Sequence, residues 1–190
     1  VTEEEGGGGV PLQVSDLDKY KQPGWSAPPD YPAYLRTFYS PWDDVHGVLE
    51  AVIGETVSSL VVAMYGYDDD DLAALIDGYL KNPKIYVQVS LDKSQAGGVH
   101  EKAILAKYQH EMDGNSVAIG TSEKSAIMHR KMAIVNGVWR VSGSTNWSTS
   151  GESKQDNELT IVYSAAACAE ARPILDIEHD KMLKQMGRAA

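Results

Sequence analysis

The residues best suited to act on an anion are gathered between Ile127 and Glu158. His129 and Lys131 stand two apart, so on an extended strand their side chains leave the same face. Asn136-Gly137 lies between two β-rich runs and signals a two-residue type I′ turn, which folds the chain into a hairpin. The return strand ends in Gly143-Ser144-Thr145-Asn146, small and polar, beside the His129 face. An imidazole, an ammonium, a hydroxyl and a carboxamide thus converge, and such donors suit a phosphate, whose non-bridging oxygens gain charge in a transition state.

This spacing resembles the signature of the phospholipase D superfamily: His-x-Lys, four residues, Asp, then Gly-Ser-x-Asn and a later Glu. His129, Lys131, Gly143, Ser144, Asn146 and Glu158 stand where the pattern has them, and Asn136 takes the place of its Asp. Trp147 and Asp156-Asn157-Glu158 are most similar to the short single-motif members, the bacterial endonucleases and their mitochondrial cardiolipin hydrolase-like relatives. The resemblance is specific from Met128 to Val162. Upstream, Phe38-Tyr-Ser-Pro41, Leu60–Tyr65 and Val87–Gln95 follow in a similar order.

What the resemblance implies is a metal-independent phosphodiesterase. Cleavage through a covalent step needs a nucleophile; His129 is the candidate, giving a phosphohistidine that water later opens. Glu158 is the candidate carboxylate behind the ring, holding its tautomer. Lys131 and Asn146 would bind phosphate oxygens, with Ser144 donating a further hydrogen bond. A leaving group also needs an acid, and one motif offers one histidine, so the expected unit is a homodimer sharing a site on its two-fold axis. The leading expectation is a nuclease on DNA or RNA. Its alternatives are a phospholipid-acting diesterase and a phosphate-binding or interaction protein impaired by Asn136. No cofactor is expected: a lone Cys168, scattered histidines and no His-Glu-x-x-His leave no zinc or two-magnesium pattern.

Composition sets the frame. A chain of 190 residues with 43% hydrophobic and 23% charged content suits one well-buried core. No apolar run approaches the roughly 18 residues of a membrane span, and Cys168 has no partner for an intrachain disulfide. No secretory leader is visible, while a start at Val1 is compatible with one already removed, so localisation stays open. The net charge of −10 opposes nucleic acid. Thr121 to Lys154 nevertheless carries a local excess of basic residues, including Lys124, Arg130, Lys131, Arg140 and Lys154.

Residues 1–31, with Gly6–Gly9 and scattered prolines, read as a flexible arm, and 32–190 as one phospholipase D-like catalytic domain. Strands are expected over Leu35–Tyr39, Ser59–Tyr65, Lys84–Leu91, Val117–Ile119, Met128–Val135, Val138–Ser142 and Glu158–Tyr163. Helices are expected over Val45–Val57, Asp68 to Leu80, Val99–Glu111, and Ala165–Met186 with a break at Pro173. The fold class is therefore α/β, a mixed sheet with helices on both faces. Asp68–Asp71 reads as a solvated helix cap, because four successive helical residues point apart. His46, His110 and His179 read as surface histidines. A second His-x-Lys, His100-Glu-Lys102, falls in a helical pattern where i and i+2 diverge, and no Gly-Ser-x-Asn follows it.

Overall fold

Alternating apolar residues build the strands that carry the motif. The computed structural model describes residues 11–95 and 117–187. In chain order come a 3-10 helix (Val14–Tyr20), β1 (Leu35–Ser40), α1 (Val45–Gly54), β2 (Ser59–Met64), α2 (Asp70–Leu80), β3 (Tyr86–Asp92) and β4 (Val117–Gly120). Then follow β5 (Lys131–Val135), β6 (Trp139–Gly143), α3 (Thr149–Ser153), β7 (Asn157–Tyr163) and α4 (Ala165–Gln185). The strands form one mixed sheet, β1-β7-β6-β5-β2-β3-β4, antiparallel from β1 to β2 and parallel from β2 to β4.

Helices cover both faces, as expected. On β2, Leu60, Val62 and Met64 join α1 and α2, while Val61 and Ala63 join α4. Burial on both sides is why β2 reads as a continuous apolar run. Helix α1 places Val45, Val48, Leu49, Val52 and Ile53 on its core stripe. Its cap is Asp44, which accepts from Gly47 N at 3.0 Å. Truncating a wholly buried Leu49 to Ala would cost about 2–5 kcal/mol.

Register puts the chemistry on one rim. Ser40 pairs with Asn157, Gly143 with Leu159, Met64 with Lys131, and Asp92 with Gly120. The ends of β1, β2, β3, β4 and β6 and the starts of β5 and β7 therefore lie together. The Asn136-Gly137 turn sits at the opposite end, with φ of 52° and 69°, the left-handed pair that a type I′ turn requires.

Several expectations are corrected. From residue 11 the N-terminal segment is packed, not loose: Leu17 is wholly buried and Lys21 bonds Asp43 at 2.7 Å. Strand β5 starts at Lys131 and leaves His129 on its approach, because Met128 N turns aside to Asp92. Helix α4 runs unbroken through Pro173, held to the sheet on both sides of it by Cys168, Leu175 and Met182. His179 is buried against Ser90 Oγ, 2.9 Å away. Asp69 is a buried cap rather than a solvated one. The short α3 escaped the sequence pattern. His100, His110 and the expected helix over Val99–Glu111 lie outside the described residues.

Candidate active site

The rim gathers His129, Lys131 and Asn146 around the end of β2. The ring of Tyr65 lies 4.5 Å from the His129 ring, centroid to centroid. Lys131 Nζ stands 4.8 Å over the same Tyr65 ring and donates to His129 O at 3.1 Å. Burial lowers the Lys131 ammonium pKa, so its charge is held with little water to screen it. His129 itself is exposed, as a nucleophile must be. Its placement starts one residue earlier, where the buried Asp92 carboxylate accepts Met128 N at 2.5 Å and Ser94 N at 2.8 Å.

Asn146 is fixed by its neighbours. Gly66 N donates to Asn146 Oδ1 at 3.2 Å, which leaves the amide's Nδ2 as its donor toward a ligand. A Cβ at Gly66 would stand 3.0 Å from Asn146 Cγ, so glycine permits this approach. Trp147, 1% exposed, pins the loop: its N donates to Gly66 O at 3.1 Å and its O accepts Asp68 N at 2.9 Å. Gly143 is required for a different reason. Its φ of 155° is a glycine conformation, and a Cβ there would collide with Glu158 O.

Ser144 and Glu158 are used otherwise than the spacing suggests. Ser144 Oγ donates to Asn157 Oδ1 at 3.0 Å and accepts Glu158 N at 2.9 Å, tying the loop to β7. The exposed Glu158 carboxylate accepts from Thr160 Oγ1 at 3.0 Å, on a strand separated from β5 by β6. Asn136 is far from the rim. Its Oδ1 accepts Val57 N and Ser58 N, both at 3.0 Å, and its Nδ2 donates to Glu55 O at 2.6 Å. The local basic excess is smaller than the sequence suggests, since Arg130 pairs with Glu178 on α4 at 2.7 Å. Tyr65, Gly66 and Asp92 were not singled out by spacing; their signal is position, at or just past the ends of buried strands.

Residues 49–176, well over half of the chain, match the family described as "Cardiolipin synthase, PLD-like domain". The chain belongs to the phospholipase D-like family. Solved structures agree on the fold. A phospholipase D family member, Nuc, from Salmonella typhimurium superposes with a TM-score of 0.65 at 18% identity, over 76% of this chain and 92% of that one. NucT from Helicobacter pylori gives 0.61 at 19%, over 79% and 95%. Phosphatidylserine synthase from Haemophilus influenzae gives 0.58 at 11%, over 80% of this chain and 40% of that one. No curated protein matches the sequence significantly. Membership in the phospholipase D-like family supports phosphodiesterase-type activity in general. No helix among the described residues is long and apolar enough to cross a membrane.

Proposed function

We propose that this protein is a metal-independent phosphodiesterase that cleaves DNA or RNA through a phosphohistidine on His129. The observation that carries the reading is the meeting of His129, Lys131 and Asn146 at the exposed rim around Tyr65. The His129 imidazole attacks phosphorus, a P–N bond forms and the P–O bond to the leaving group breaks. Lys131 and the Asn146 amide take up the charge on the non-bridging oxygens. Ser144 acts through the loop it closes, and Glu158 through the field it places near the rim. The leaving oxygen takes its proton from His129 of the partner subunit, which then activates water to open the P–N bond. What supports a partner copy is that, among the described residues, the other histidines, His46 and His179, are committed elsewhere.

Asn136 does not weaken this reading. It lies at the far end of β5, five residues or about 17 Å from Lys131, and its work is to join the turn to the 55–59 segment. Exposed aromatic rings near the rim, Tyr39 at 47% and Trp42 at 61%, offer flat faces on which bases can stack.

The test is a substrate panel in EDTA: supercoiled plasmid, single-stranded oligonucleotide, RNA, bis-p-nitrophenyl phosphate and phosphatidylcholine vesicles. Cleavage of a nucleic acid is expected, with turnover falling at least ~10³-fold in His129→Ala at an unchanged melting temperature. Headgroup release from the vesicles alone would make the lipid alternative correct. Wild-type turnover in His129→Ala would remove the mechanism.

A further inference from the structure

We propose that the cavity between the N-termini of α1 and α2 binds one divalent transition-metal ion of the zinc class, with His46, Asp69 and Asp71 as ligands and Glu152 closing the shell. The cavity holds about 450 Å³ and also takes in Asp68, Asp70 and Thr149. His46, Asp69 and Asp71 each present a ligand atom, all within 4.8 Å of one another. His46 Nδ1 lies 2.9 Å from Asp69 Oδ2 and 2.7 Å from Glu152 Oε2. On its other side, Nε2 is 3.7 Å from both Asp71 Oδ2 and Glu50 Oε1.

His46, Asp69 and Glu152, widely separated in the sequence, are joined here by the fold. Asp69 and Asp71 converge because Asp69 is the extended cap of α2 and Asp71 is already inside the helix, so the divergence of successive helical residues does not apply. Helix α3 then brings Glu152 in from the motif side of the chain.

Glu152 is the independent reason to expect a cation. Its side chain is only 2% exposed, it lines the same cavity, and its Oε1 has no hydrogen-bond partner. A buried carboxylate oxygen without a donor is costly. Four carboxylates surround one imidazole, and among the described residues no lysine or arginine pairs with any of them. A mixed imidazole and carboxylate set favours zinc, cobalt or nickel over calcium and magnesium, which take oxygen alone. With metal–ligand bonds of about 2.0–2.2 Å, the ligand atoms of a tetrahedral ion stand about 3.3–3.6 Å apart, a spacing that small side-chain rotations give to the His46, Asp69 and Asp71 atoms, now within 4.8 Å of one another.

This site is structural. None of its ligands bonds His129 or Lys131, but the Asp68 to Trp147 and Trp147 to Gly66 bonds tie its α2 cap to the loop of Asn146. The proposal stands or falls separately from the function above, because it is read by binding and not by turnover.

The test uses the full chain freed of metal with EDTA and dialysed. Zn²⁺ is titrated by calorimetry, and Co²⁺ by visible absorption. One ion per chain and a raised melting temperature are expected. His46→Ala and Asp71→Asn should each weaken binding at least tenfold, while His129→Ala binds as wild type. Asp71 is exposed, so its variant folds even where the His46 variant does not. Absence of saturable binding, wild-type affinity in Asp71→Asn, or loss of binding in His129→Ala would each overturn the site.

Discussion

The His129 ring leans on Tyr65 with the two planes at 60°, so an aromatic face fixes the direction of the proposed nucleophile. The Tyr65 hydroxyl is itself held by Gln95 Nε2 at 2.9 Å. Tyr65→Ala should lower kcat about 10²-fold, the size of a misplacement near 1 Å, with KM nearly unchanged. Tyr65→Phe keeps the ring and should recover most of the rate. Equal losses in both variants, measured on bis-p-nitrophenyl phosphate, would show that the ring does not position the histidine.

Asn136 donates as well as accepts, and that decides what an Asp there would do. Asn136→Asp keeps the acceptor for Val57 N and Ser58 N but loses the Nδ2 bond to Glu55 O. Stability should fall by about 1 kcal/mol, read from denaturant midpoints, while turnover stays within twofold of wild type. A large gain in turnover would place the charge of this position in the chemistry.

Subunit mixing tests the shared site. Wild-type and His129→Ala chains refolded together should form hybrids with a single motif imidazole and little activity. With random pairing, activity then falls as the square of the wild-type fraction. A linear fall, or an active monomer by light scattering, would remove the shared site.

In EDTA, the Glu152 cluster makes stability depend on pH. The folded protein holds the Glu152 proton up to about 8, whereas the unfolded chain releases it near 4.5. The cluster's stabilisation is therefore complete below about pH 4.5 and is lost as pH rises through about 8. His46 acts in the same direction: burial lowers its pKa, but Glu152 and Asp69 outweigh that and hold it above its ordinary value. Glu152→Gln carries no such proton. Relative to wild type it should gain about 3 kcal/mol between pH 5.5 and 8.5, or about 6–12 °C in Tm for a chain of this size. Parallel melting curves for the two proteins across that range would show that Glu152 does not titrate there.

The sequence was legible wherever local pattern and burial agreed. The Asn136-Gly137 turn, the alternation in β6 and the core stripe of α1 needed only short-range rules. Met128 to Arg130 misled because their apolar and basic residues continue the strand pattern, and only the distant Asp92 carboxylate ends it. The 3-10 helix was hidden by a Pro-rich, Gly-rich setting, since Leu17 finds its core partners on α1. At the candidate site, spacing singled out His129, Lys131 and Asn146, which the fold brings to one rim. It gave no hint of Tyr65 or Gly66, whose contribution depends on which strand ends beside β5. His46 and Glu152 are 106 positions apart, and their 2.7 Å contact is a product of the tertiary fold alone.

Lys21 and Asp43 form an ion pair with side chains 5% and 1% exposed, and Asp43 also receives Tyr39 N and Gln22 N. A fragment begun at Tyr34, where the apolar pattern turns regular, would strip that carboxylate of its cation. Leaving one buried charge alone costs about 3–5 kcal/mol, a large share of the roughly 5–15 kcal/mol that holds a domain folded. A tag or fusion joined at residue 32 would therefore yield protein that aggregates, whereas one joined ahead of Pro11 spares the pair.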